Sequence, residues 1–428
     1  MNKRFLLIFI VFGSFSVLSE AAYIEPERKN REYELDLLTQ RFPRSWDKLW
    51  QASDNAVRIS GGSVNVRDLL FIHQLKFKVP LGARLNLRGT LNYYQTISGT
   101  EIARYSFDRI DTFDQTAYKN IFEFEYFLTD TITGSLLGVP AFEKQRADLG
   151  WGVKWSRDNI NYIKINYWWL NFDNNYAYSK EKEFDDKEEV YNHNPREVQF
   201  SSSYDNKVVY TCLELVLTPA AIKDFSFYNN PDDWSRRETR SDYFKQSIEY
   251  KINETVNIGI ESFRETGKQS QEFVSARQSE SYRSYYSKYY ISPYLEYMIG
   301  QKSLVSLELR YQRKYFLQEF PNAQINNFYY LKREIFPVVN YHHRLGKYWE
   351  LELAYLREAA KVSRLYPATP ELNNYKDTLV DDRLKIGFSY KINNRLAFTG
   401  MTGVELDYRD QGRFPYLDKG AIQFITTF

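Results

Sequence analysis

The chain has 428 residues, 57 basic and 55 acidic, for a formal net charge of +2, with a mean hydropathy of −0.57 and a single cysteine, Cys212. So even a charge balance gives no electrostatic case for nucleic acid as a partner, and one thiol excludes an intrachain disulfide framework. Beyond the amino-terminal segment no apolar run approaches the roughly 20 residues of a membrane helix, which excludes a helical membrane bundle, yet 17% of the residues are aromatic, 36 of them Tyr.

In chain order, Met1-Asn2-Lys3-Arg4 is a short basic stretch, Phe5 to about Leu18 is apolar, and Ser19-Glu20-Ala21 places small residues where a signal peptidase cuts. Residues 1–21 are therefore expected to be a signal peptide. Residues 22–54 hold Leu35-Asp36-Leu37-Leu38 and Trp46-Asp47-Lys48-Leu49-Trp50. This short segment is read as a periplasmic N-terminal tail or a small hatch folded into a lumen.

From residue 55 to 428 the chain repeats one unit. Segments of alternating hydrophobicity come in pairs joined by very short turns: Pro80-Leu81-Gly82-Ala83, Asp130-Thr131, Arg157-Asp158-Asn159, Asp205-Asn206-Lys207, Asn253-Glu254, Gly300-Gln301-Lys302, Gly346-Lys347 and Asn393-Asn394. Such residues tolerate positive φ or close a tight hairpin. Polar stretches separate the pairs, at 95–118, 172–195, 219–241, 265–286, 317–332 and 360–381, and read as long loops. The alternation is explicit in Val305, Leu307, Leu309 and Tyr311 against Ser306, Glu308, Arg310 and Gln312. It recurs in Leu384, Ile386, Phe388 and Tyr390 against Lys385, Gly387, Ser389 and Lys391.

The chain ends in Ala421-Ile422-Gln423-Phe424-Ile425-Thr426-Thr427-Phe428, with Ile422, Phe424 and Phe428 on one face of a strand. A secretion signal, repeated amphipathic strands and a terminal aromatic strand together resemble a bacterial outer-membrane β-barrel of the porin-like class. The resemblance implies an all-β fold: a transmembrane antiparallel up-and-down barrel with short periplasmic turns and long extracellular loops. It also implies location in the bacterial outer membrane, with lipid and lipopolysaccharide around the barrel, and reading of Phe424 and Phe428 by the barrel-assembly machinery. Adding an upward strand at Asn55–Val64 gives about 18 strands, with 16 the alternative if the irregular region 133–147 does not span.

Strand parity turns one set of charges inward. Basic residues dominate the early and late strands: Lys76, Arg88, Lys164, Lys385 and Lys391. Between about 255 and 356 the set is mostly acidic, Glu261, Glu296, Glu308, Glu350 and Glu352, with Arg310 among them. Since first and last strands adjoin in a closed barrel, the pattern suggests a basic wall facing an acidic one across a channel. The other reading is ordinary cross-strand ion pairing on a wet surface.

No catalytic constellation is found. The four histidines, His73, His193, His342 and His343, have no nucleophile motif beside them, and no metal-ligand spacing or cofactor motif occurs. The chain is therefore expected not to be an enzyme and to need no cofactor. The leading expectation is a porin-like channel for small polar or ionic solutes, with a homotrimer as the assembly considered. Two alternatives stand beside it: a sheath around a partner such as a multihaem cytochrome, and a surface receptor or adhesion barrel.

Overall fold

The computed structural model describes residues 54–64, 68–99, 112–139, 148–158, 160–169, 187–193, 196–206, 208–227, 230–274, 279–320, 327–365, 376–391, 396–406 and 417–427. The expected signal peptide, nearly all of the segment 22–54, the Asn393-Asn394 turn and Phe428 lie outside the described residues. The described strands are β1 Ala56–Val64, β2 Asp68–Pro80, β3 Leu85–Gly99, β4 Thr112–Phe127, β5 Ile132–Val139, β6 Asp148–Ser156, β7 Tyr162–Trp169, β8 Lys187–His193, β9 Arg196–Asp205 and β10 Val209–Phe227. They continue as β11 Asn230–Lys251, β12 Val256–Val274, β13 Ser279–Ile299, β14 Ser303–Glu319, β15 Phe328–Arg344, β16 Trp349–Leu365, β17 Lys376–Lys391, β18 Leu396–Glu405 and β19 Leu417–Thr427.

Apart from β8, each strand pairs antiparallel with the next, β7 with β9, and β1 closes the sheet on β19, from Ala56 opposite Thr427 to Val64 opposite Lys419. Both β8 and β9 pair with β10, on its far half and near half respectively, so they form one interrupted stave. The sheet is thus a closed antiparallel barrel of eighteen staves. Asn194 and Pro195, between the two pieces, lie outside the described residues. Region 133–147, the sequence's weakest stretch, contributes β5 as a full member of the sheet.

The short turns form for local reasons. In several of them a side chain takes up backbone amides that a hairpin leaves unpaired: Asp158 accepts from the amides of Ile160 and Asn161, Asn206 from Val208 and Val209, and Asn253 from Thr255 and Val256. Gly300 and Gly346 supply positive φ, 64° and 109°, in two more. These turns all lie at the end of the barrel that holds the start of β1 and the end of β19.

At the opposite end the sheet is taller than the sequence suggests. Strands β10 to β13 run 19 to 22 residues, against 8 or 9 in β5 to β7. Much of 219–241 and 265–286, expected as loop, is therefore strand. These segments carry polar residues on both faces, so alternation fades there. Strand pairing needs only the backbone, and the ladder continues.

Burial separates two faces. Large apolar side chains stand exposed on one, among them Leu136 (66%), Trp151, Trp155, Leu295, Leu307, Leu309, Val339, Ile386, Ile422 and Phe424. The other face buries charge, including Arg310 (2%), Glu334 (1%), Lys288 and Lys385. In a water-soluble barrel the senses are reversed. An apolar exterior around a polar interior is the arrangement a hydrocarbon surround requires, so the barrel is of the transmembrane kind.

Candidate functional site

The register places all the sequence-derived inward residues on the buried-polar face: Lys76 on β2, Arg88 on β3, Lys164 on β7, Glu261 on β12, Glu296 on β13, Glu308 and Arg310 on β14, Glu350 and Glu352 on β16, and Lys385 and Lys391 on β17. Ion pairing does not sort them into two facing walls. Lys391 Nζ lies 3.7 Å from a Glu350 oxygen on the neighbouring strand, although the sequence pattern assigned these residues to opposite walls. Charges of both signs are interleaved, paired across adjacent strands, as for Lys391 and Glu350, or over one or two intervening strands, as for Arg310 with Glu261 and Lys164 with Glu123.

At the short-turn end Arg88 joins two acids, Asp54 at 3.1 Å and Glu125 at 2.6 Å, and Lys78 binds Asp54 at 3.1 Å. Beside it, Lys164 on β7 reaches past β6 and β5 to Glu123 on β4 at 2.7 Å. Asp54 is the last residue of the amino-terminal segment, and it is thereby tied to the inner wall. Burial alone would raise its carboxyl, but the Lys78 hydrogen bond and the charges of Arg88, Lys78 and Lys154 outweigh that and hold it below the usual carboxylate range. Four staves round the wall from β1, at the same end, Glu350 gathers His342 (3.3 Å), Arg344 (3.5 Å) and Lys391.

Further up the wall stands Arg310. Its guanidinium lies over the Tyr290 ring, 3.9 Å from the centroid, and reaches Glu261 at 3.5 Å and Glu308 at 3.6 Å. Tyr290 donates a hydrogen bond to Glu261, Ser292 donates one to Glu308, and Phe263 stacks on Tyr290 with Lys288 over its far side. Each partner restrains another, so the guanidinium is held over the aromatic ring between two carboxylates. Lower on the same wall, the Tyr294 ring crosses Gly259, where a Cβ would sit 2.3 Å from it, and its hydroxyl donates to Glu249.

Above Arg310 lies a second group, which sequence parity missed. Lys314 and Lys332 are directly opposite each other on β14 and β15. Glu334 lies 3.5 Å from the first and 2.5 Å from the second, and Glu358 lies 2.8 Å from Lys332. Gln312 donates to Glu334 at 2.6 Å. Extending the alternation of Glu308, Arg310 and Gln312 by one step reaches Lys314. For β15 no such signal existed, since Ile335 and Val339 face outward while Phe336 and Val338 face in, leaving both faces apolar.

Phe424 faces outward on β19, its ring 4.8 Å from Phe398, which lies 5.6 Å from Phe388. Of the histidines, His342 turns inward to Glu350, while His343 turns outward to Ser303 and stacks on Tyr341. Among the described residues, no three His, Cys, Asp or Glu side chains come together as a metal site.

No protein-family model matches the sequence, and no match was found among curated proteins. Solved structures similar to it include a bacterial polysaccharide outer membrane secretin, at 12% identity over 87% of this chain and 98% of that one, with a TM-score of 0.41. OccAB3 of Acinetobacter baumannii shares 10% identity over 87% and 98% of the two chains, with a TM-score of 0.39. OmpT of Vibrio cholerae, an outer membrane protein, shares 10% over 87% and 95%, with a TM-score of 0.37. No residue role is transferred at this level of likeness.

Proposed function

We propose that this chain is an outer-membrane channel through which small polar or ionic solutes diffuse. The observation that carries this reading is the sorting of the two barrel faces: a mostly apolar exterior, and an interior wall that holds buried charges in ion pairs. A closed barrel of about this size encloses space unless something fills it. Where an inner charge is buried, as at Arg310 and Glu350, opposite charges within the wall compensate for its burial. Lys76, Arg88, Lys164, Lys385, Lys391, Glu261, Glu296, Glu308, Arg310, Glu350 and Glu352 are the proposed lining residues.

Interleaving has a consequence for selectivity. Separated walls of opposite sign set up a transverse field across a pore, whereas ion pairs formed within one wall cancel most of their field at a distance. The proposed channel therefore passes small ions of both signs with weak preference. It disfavours apolar solutes, which would displace water from a charged wall without replacing its hydrogen bonds.

Swelling of vesicles containing the purified protein tests the reading. Vesicles loaded with a large impermeant solute should swell quickly in isotonic solutions of small sugars or salts, with rates falling as solute size increases. A correctly folded barrel giving no swelling with any small polar solute would overturn the proposal.

A further inference from the structure

A row of cations crosses the outer face of the barrel at one height. Arg264 on β12 is opposite Tyr289 on β13, Tyr289 is opposite Arg313 on β14, Arg313 is opposite Arg333 on β15, and Arg333 is opposite Lys361 on β16. All five alternate with the inward set on their strands, so they belong to the apolar exterior. Tyrosines flank the row, with Tyr289 against Tyr311 (6.1 Å between centroids) and Tyr285 against Tyr315 (5.7 Å).

Like charges directly opposite in a sheet destabilise it. Inside the barrel the opposed Lys314 and Lys332 are bridged by Glu334. Outside, the opposed Arg313 and Arg333 have no such bridge. Among the described residues neither they nor Arg264 or Lys361 makes a salt bridge, and Asp242 acts on Arg264 only at longer range. The Arg313 Nε is buried and has no hydrogen-bond acceptor, a state that costs free energy until one arrives. Among the described residues the sheet thus presents three consecutive cations without a salt bridge on one outward patch, with an unpartnered donor buried beneath it.

Height decides what can supply the acceptor. On β14 the outward residues between Ser303 and Arg313 are Val305, Leu307, Leu309 and Tyr311. That interval is about ten residues, roughly 33 Å along a strand at about 3.3 Å per residue, or some 25 Å of vertical rise at about 40° tilt, which matches the height of a barrel's apolar band. The row therefore lies where hydrocarbon gives way to headgroups, on the side away from the short turns. Cations at that level gain most from phosphate, with guanidinium pairs taking it in bidentate fashion.

We propose that the outward row Arg264, Arg313, Arg333 and Lys361 is a binding site for the phosphorylated glycolipid headgroup of the outer leaflet, a phosphate group bridging Arg313 and Arg333 in the place that Glu334 fills on the inner face. The site is independent of whether the barrel conducts.

The test uses the full mature protein in detergent micelles and measures retention of lipid A by native mass spectrometry. Diphosphorylated lipid A should be retained at least about tenfold better than the enzymatically dephosphorylated form, since each cation at a charged surface contributes on the order of 1 kcal/mol. Joint replacement Arg313→Gln and Arg333→Gln should abolish that difference, whereas Lys347→Gln, in a short turn at the other end, should leave it intact. Equal retention of both lipids by the unaltered protein overturns the proposal without recourse to any variant. So does preservation of the preference in the double variant. Competition at equal concentration by inorganic phosphate would mean a simple anion site, and would likewise overturn a lipid site.

Discussion

The Arg310 guanidinium lies 3.9 Å from the centroid of the Tyr290 ring, while the Tyr290 hydroxyl donates a 2.5 Å hydrogen bond to Glu261, which Arg310 also faces at 3.5 Å. One cation is thereby shared among an aromatic face and two carboxylates, Glu261 and Glu308. Replacing Arg310 with Met retains much of the bulk but leaves two acids without their shared cation. The expected loss is about 3 kcal/mol in urea unfolding from lipid vesicles, as for a partly buried pair broken from one side. Adding Glu261→Gln should recover part of it. A double variant no more stable than Arg310→Met alone would show that the cation acts mainly by packing on Tyr290.

Glu334 separates Lys314 from Lys332 and accepts from Gln312. Glu334→Gln keeps the shape and removes the charge between two facing lysines, so it should destabilise the barrel by about 2 kcal/mol, more than Lys314→Gln, which relieves repulsion as it breaks a bond. Comparison of the two variants by the same unfolding assay checks the order. The reverse order would locate the main support of Lys332 in Glu358 instead.

Much of this architecture is readable from sequence because its physics is local. Period-two alternation such as Leu307, Leu309 and Tyr311 against Glu308, Arg310 and Gln312 states which residues share a face, and the structure places these accordingly. Turns were legible because Asp158, Asn206 and Asn253 carry the acceptors that close them. Two kinds of information were not local. Alternation does not reveal which inward residues become neighbours, and so Glu350 and Lys391 were assigned to different walls although the register of β16 and β17 brings them within ion-pair reach. Alternation also fails where both faces have the same polarity, as on β15 around Phe336 and Val338, which hid Lys332 and Glu334.

The closing strand offers a separate check. Phe424 is exposed at 45% and continues an outward aromatic ladder through Phe398 to Phe388, whereas Ile425 beside it is fully buried inside. Phe424→Ser should lower the amount of folded barrel in outer-membrane fractions several-fold, as judged by heat-modifiable mobility on gels. Removal of Phe428 is expected to act in the same direction through recognition by the assembly machinery. Unchanged folded levels in both variants would separate this strand from assembly.

Asp54 makes the mouth sensitive to acid. Its carboxyl is held below the ordinary value, so the stability it contributes is present above the unfolded carboxylate pKa and is lost as pH falls through the lower folded value. As pH falls below the ordinary aspartate value of about 4, release of Lys78 and Arg88 should weaken the amino-terminal attachment, measured as protease cleavage ahead of β1. Asp54→Asn should show the weakened attachment already at pH 7, with less further change on acidification. An Asp54→Asn protein as protected as the parent at neutral pH would remove Asp54 from the attachment.

The central claim is a conducting lumen lined by interleaved charge, and single-channel recording in planar bilayers tests it most directly. The account predicts discrete open steps whose conductance rises with salt and a reversal potential close to zero in a potassium chloride gradient, shifting toward cation preference in Arg88→Glu with Lys385→Glu. Folded protein that inserts and shows no conductance, or a reversal potential unmoved by that double charge reversal, would contradict it.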